Sequence, residues 1–151
     1  MAESKQFRFI VRASAIAFND AGSILLCKFD KLSFWMLPGG KVEKNEVSSE
    51  ALRRELQEEL GVIAEVGPLL GVIENFFTCG DVSIQELGLY FEGEIPPHLQ
   101  RVTEFAGAEA GLVVRWFAPA DLTDTDVRPA PLKRFLQSRT SARFGYLVWR
   151  D

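Results

Sequence analysis

The chain has 151 residues, 47% apolar and 25% charged, a composition that suits one globular domain and excludes intrinsic disorder. Seventeen basic against 21 acidic residues leave a net charge of −4, which argues against a protein living on nonspecific phosphate-backbone contacts. No run approaches the roughly 20 apolar residues of a membrane span, and Met1 to Arg12 lacks a secretory pattern, so a soluble, cytoplasmic protein is expected.

Phe7 to Phe18 reads as a long strand ended by the turn Asn19-Asp20-Ala21-Gly22, and Ser23 to Phe29 as a second strand forming a hairpin with it. Phe34 to Leu37 is short and apolar before the break Pro38-Gly39-Gly40. A helix is predicted from about Val47 to Leu60, stopped by Gly61 at its C-terminal cap. Leu69 to Phe77 and Ile84 to Ile95 read as strands joined around Cys79-Gly80-Asp81. Pro96 and Pro97 close that section, leaving the lone histidine, His98, in a surface loop where it cannot supply a multi-histidine metal site. Val113 to Phe117 is a further strand, Pro131 to Ser138 a second helix with proline in its first turn, and Tyr146 to Trp149 a final edge strand. Cys27 and Cys79 lack disulfide-framework or zinc spacing and are expected buried and reduced. The pattern predicts one mixed α/β domain over residues 1–151.

The informative segment runs from Gly40 to Val62, GKVEKNEVSSEALRRELQEELGV. At about 100° per residue, Leu52, Leu56 and Leu60 form a stripe spanning about 80° that docks the helix. Glu55, Glu58 and Glu59 fall in an adjoining arc of about 100°, while Arg53 and Arg54 are expected to point elsewhere. Carboxylates at these spacings repel, and Glu58 and Glu59 lie at the negative end of the helix dipole. A divalent cation removes both objections, and hard oxygen donors favour magnesium or manganese, which bind substrate phosphates. The competing reading is a solvated acidic helix face. Gly39 and Gly40 allow backbone to approach a ligand closely, and Glu46 and Arg54 are placed to form an ion pair across the loop-to-helix bend.

Gly40, five residues, Glu46, seven residues, then Arg54-Glu55-Leu56-Gln57-Glu58-Glu59-Leu60-Gly61-Val62 resembles an unbroken Nudix box. The resemblance extends to Leu25-Leu26-Cys27-Lys28, to Trp35-Met36-Leu37-Pro38-Gly39-Gly40, and to Arg115-Trp116-Phe117 with Pro119 and Leu122. It implies the α/β/α sandwich of Nudix hydrolases, with a mixed central sheet and the box as loop-helix-loop. It also implies hydrolysis, with magnesium or manganese, of the pyrophosphate linkage of a nucleoside diphosphate joined to another group. That substrate would be a nucleotide, a nucleotide sugar, ADP-ribose or a dinucleoside polyphosphate.

Carried over by position, Glu55, Glu58 and Glu59 would be metal ligands with the Gly40 carbonyl as an extra one. Glu58 or Glu59 would assist catalysis, and Arg54 and Glu46 would orient the site. Val47 departs from the usual capping Ser or Thr, leaving Ser48 or Asn45 to cap. Outside the box, Lys28 and Arg12 are candidates for the substrate phosphates. Glu86, Glu104 and Glu109 are candidates for a further base. Glu86 is preferred, because Glu74-Asn75-Phe76-Phe77 through Gln85-Glu86-Leu87 resembles a subgroup pattern. Phe34, Trp35, Phe76, Phe77 and Tyr90 are available to stack on a base. The implied partner is a small-molecule nucleotide, with no membrane or nucleic acid, and exposed aromatic strands offer a homodimer surface. A non-catalytic nucleotide sensor on the same fold would be expected to lose a box glutamate, and all three are present. A plain interaction domain would show no divalent-ion dependence.

Overall fold

The computed structural model describes residues 5–138 and 143–151. Among these described residues, eight strands form two sheets. The larger has the order β3-β1-β5-β4-β8, built from β1 (Gln6–Ile16), β3 (Gly39–Lys41), β4 (Glu65–Cys79), β5 (Val82–Glu94) and β8 (Gly145–Arg150). It is mixed, because β1 runs parallel to β5 and β4 parallel to β8, while β4 and β5 form an antiparallel hairpin. The smaller sheet is antiparallel, β2-β7-β6, from β2 (Ile24–Phe29), β6 (Glu104–Ala106) and β7 (Leu112–Phe117).

The expected hairpin between the first two strands is corrected by this topology. Its turn forms, with the Asn19 side-chain oxygen accepting the Ala21 and Ser23 N–H groups at 3.1 and 2.9 Å. The strands then part, β1 pairing with β3 and β5 and β2 with β7. Ala13 to Ala17 and Ile24 to Cys27 are all buried, so each strand is covered on both faces. A two-stranded ribbon would leave one face wet; placing the strands in separate sheets buries both.

Helix α1 (Ser48–Leu60) packs Leu52, Leu56 and Leu60 against Ala13, Ala15, Leu25, Val114 and Trp116. Fully burying a leucine contributes about 2 kcal/mol, which fixes this helix face. Ile16, Ile24 and Leu26 lie in a second cluster with Ile73, Leu122 and Leu132, the last from α3 (Pro131–Gln137). Alternate residues of β1 and β2 thus feed two cores, giving an α/β fold with helices on both sides.

Helix α1 ends as predicted, Gly61 taking the left-handed conformation at φ 71° and donating its N–H to Gln57 O. Its start differs: Val47 is the N-cap and no side chain caps the helix, neither Ser48, its first residue, nor Asn45, itself left-handed at φ 62°. His98 is exposed as expected but belongs to a one-turn helix, α2 (Pro97–Gln100), rather than a loop. Cys27 is buried; Cys79, at the tip of the β4–β5 hairpin, is exposed, contrary to expectation, because turn residues have no layer to cover them. Strand β8 is exposed along its whole length at the sheet edge. Among the described residues no helix is long and apolar enough to cross a membrane.

Candidate active site

Strand β3 is wedged between β1 and the carboxylates of α1. A side chain at Gly39 would overlap the Ala13 carbonyl, and one at Gly40 would overlap the Glu55 carboxylate. Glu59 reaches the same loop, accepting the Gly39 N–H at 3.3 Å. The paired glycines therefore let backbone and two glutamates share one small volume.

The Arg54 guanidinium organises the remaining edge. It clasps Glu46 bidentately, Nε to Oε2 and Nη2 to Oε1, both at 2.9 Å. Its Nη2 also donates to the Lys41 carbonyl at 3.1 Å, and Nη1 to Glu55 at 2.9 Å and Glu58 at 3.3 Å. The predicted Arg54–Glu46 pair is present. The expectation that Arg54 points away from the acidic arc is corrected: four residues apart on a helix is one turn, so Arg54 and Glu58 are neighbours.

Glu59 is 7% exposed, and its carboxyl is pushed up to about 7. Burial is the main cause; Arg12 and the Gly39 N–H oppose it, and the charges of Glu55 and Glu109 add to it. Glu46, by contrast, is held down to about 2 by its hydrogen bonds from Arg54. Glu58 is largely exposed. Among the described residues, no three His, Cys, Asp or Glu side chains are gathered tightly enough to enclose an ion. Arg54 instead links Glu55 and Glu58. The donor set is nonetheless all hard oxygen, with a glycine cradle that a Cβ would fill and a buried carboxylate short of positive charge, and these features fit magnesium or manganese.

Beside this loop lies a cavity of about 370 Å³ between the large sheet and the segments around Phe34 to Leu37 and Asp126 to Leu132. Arg12 forms the wall shared with the box, its Nη2 donating to the Leu37 and Gly39 carbonyls at 3.4 and 3.3 Å. Glu86 is buried in this cavity rather than among the α1 glutamates, and burial raises its carboxyl against the opposing charge of Arg12. Glu104 pairs with Arg115 at 3.2 Å. Of the three outer carboxylates, Glu109 is the one whose charge acts on Glu59. Its loop is fastened to α1 by the Ala108 N–H, which donates to Glu59 O at 2.7 Å.

Lys28 is not in the cavity wall; its ammonium lies 5.6 Å from the Trp35 ring centroid, and Arg115 also stacks on that ring at 4.9 Å. Of the five aromatics, Phe34, Phe77 and Tyr90 line the cavity, while Trp35 packs on Phe117 and Phe76 carries Arg150. Sequence reasoning did not single out Asn75, which is 8% exposed beside Glu86 in the cavity wall. On the strand face that Ile73, Asn75 and Phe77 share, a polar residue between two apolar ones is the signal that marks it.

The NUDIX domain model matches residues 8–138. CTP pyrophosphohydrolase of Escherichia coli (strain K12) is 32% identical over 125 residues, 76% of this chain and 87% of that protein. The 8-oxo-dGTP diphosphatase of Proteus vulgaris is 48% identical over 44 residues, 29% of this chain and 39% of that protein. Alignments with three curated relatives span 42%, 31% and 39% of those proteins' lengths, so the chain covers less than half of each. In fold, the chain is similar to a Nudix hydrolase from Nitrosomonas europaea, with TM-score 0.69 and 24% identity over 94% of this chain and 79% of that one. The chain belongs to the Nudix hydrolase family, whose relatives include named diphosphatases and pyrophosphohydrolases.

Proposed function

We propose that this chain hydrolyses the pyrophosphate linkage of a nucleoside diphosphate derivative with magnesium or manganese. The observation that carries the reading is the meeting of Glu55 and buried Glu59 with the Gly39–Gly40 backbone. Glu55, Glu58, Glu59 and the Gly40 carbonyl would hold the cation. Once bound, the cation supplies charge neutralisation at the phosphate oxygens and makes a water more acidic. Arg54 would release Glu55 and Glu58 to the ion while retaining Glu46, whose bidentate grip holds the helix start to the loop.

Arg12 faces the cavity from the wall next to the box, where its fork suits a phosphate. Lys28, beside the Trp35 ring and outside the cavity wall, is the second candidate for the substrate phosphates. Water adds to one phosphorus, and the bond from that phosphorus to the bridging oxygen breaks, leaving its electron pair on the departing phosphate. The water's proton passes to a carboxylate, for which Glu58, Glu59 and the nearby Glu109 are the candidates, with Glu86 in the cavity as the alternative. Similarity to proteins named for CTP and 8-oxo-dGTP supports a nucleotide as the substrate class.

The test is product release from a panel of nucleoside triphosphates, nucleotide sugars, ADP-ribose and dinucleoside polyphosphates. Turnover should require the cation and fall at least about 100-fold in a folded Glu58→Gln variant. Turnover undiminished in that variant would overturn the site.

A further inference from the structure

The floor of the cavity is a row of residues across the large sheet. Glu86 on β5 and Asn75 on β4 lie side by side in register there. Glu86 and Asn75 are direct partners across an antiparallel pair, so their side chains leave the sheet about 5 Å apart on one face. Each is 8% exposed, and both line the cavity. Among the described residues the Asn75 Oδ1 has no hydrogen-bond donor at all. A buried acceptor without a donor costs on the order of 1–3 kcal/mol, which a donor entering the cavity, from a ligand or from water, would offset.

The rest of the cavity says what kind of ligand that is. Phe34 and Phe77 line it, and Arg128 lies over the Phe34 ring at 4.5 Å. Gly88, two residues along β5 from Glu86, has no side chain, and Tyr90 uses the space: a Cβ at Gly88 would lie 2.8 Å from the Tyr90 hydroxyl. The cavity therefore combines aromatic side chains with polar atoms at its floor and Arg12 at the end beside the box, the lining that a planar polar ring requires.

We infer that Asn75 and Glu86 read an N–H-bearing edge of a planar heterocycle seated in this cavity, a role that takes Glu86 out of the candidates for the water's proton and leaves Glu58, Glu59 and Glu109. The inference rests on the nucleotide reading above and narrows it. Two neighbouring acceptors, the Asn75 Oδ1 and the Glu86 carboxylate, call for two neighbouring donors. A guanine-type edge supplies them as a ring N–H beside an amino group. Adenine and cytosine offer one amino donor next to a ring acceptor, and uracil offers one N–H flanked by carbonyls that would face the acceptors. With the base on this floor, the ribose and phosphates lead past Arg12 toward Glu55 and Glu59.

The test uses nucleosides, which need no hydrolysis, titrated calorimetrically into the full chain. Guanosine should bind tightest and uridine weakest. On the unaltered protein, inosine, which lacks the amino group, and 1-methylguanosine, which lacks the ring donor, should each lose about tenfold in affinity. Asn75→Leu, checked for folding by thermal unfolding, should bring guanosine to within about threefold of uridine. Equal binding of guanosine, inosine and 1-methylguanosine would overturn the inference, as would uridine preference or no nucleoside binding. Hydrolysis is measured separately: absent turnover with an intact guanosine preference sinks the hydrolase reading and leaves this one standing. Robust turnover on every base, with no such preference, does the reverse.

Discussion

Arg54 and Glu46 are joined by two parallel hydrogen bonds of 2.9 Å, although eight residues separate them. The pair closes the loop after Gly40 onto the helix, and the other edge of the same guanidinium meets Glu55 and Glu58.

That pair predicts an acid response. Glu46 is ordinarily protonated near 4.5 and is held to about 2 here, chiefly by its hydrogen bonds from Arg54. A carboxyl lowered in the folded state contributes stability that is full above the unfolded value and is lost as pH falls toward the folded one. The urea midpoint of the protein should therefore exceed that of Glu46→Gln at pH 6, with the gap closing between about pH 4.5 and pH 2. A gap independent of pH would contradict the pairing.

Gly40→Ala places a methyl group into the Glu55 carboxylate. Overpacking of this kind costs about 1–3 kcal/mol, unless Glu55 swings away, in which case stability holds and cation affinity falls. Thermal unfolding with and without manganese separates the two outcomes; a variant normal in both would place Glu55 elsewhere.

Cation binding should register as stability even without a substrate. A ligand at 100 times its Kd raises folded stability by about 2.7 kcal/mol, so magnesium or manganese should raise the Tm. Glu59→Gln should abolish most of that rise, because it removes the buried charge against the Gly39 loop. An equal rise in the variant would move the cation site off α1.

The two thiols should behave differently. Burial pushes Cys27 far above the usual thiol range, with the nearby Glu59 adding to it, while Cys79 is exposed on a hairpin tip. Iodoacetamide at pH 8 should add one carbamidomethyl group to the folded protein, at Cys79, and two after denaturation. Intact-mass spectrometry reads the count.

The α1 segment was legible from sequence because its contacts are local. Leu52, Leu56 and Leu60 lie on one stripe, Gly61 ends the helix, and Glu55, Glu58 and Glu59 share an arc, all through the period of a single helix. Arg54 departs from its expected direction because positions i and i+4 lie only about 40° apart around a helix, which sets it beside Glu58. Strand partners are another matter. Phe7 to Phe18 and Ser23 to Phe29 were recognisable as strands, yet their membership of different sheets depended on what covers each face.

By itself, then, the sequence determined the helix, its carboxylates, the Arg54–Glu46 clasp and the family that these residues resemble. Only the tertiary structure decided that Lys28 stacks on Trp35, that Glu109 lies near Glu59, and that Asn75 and Glu86 face one cavity. Helical neighbours are set by a constant rise and turn along one chain, whereas strand neighbours are set by register between distant segments, which the burial of whole sheet faces selects.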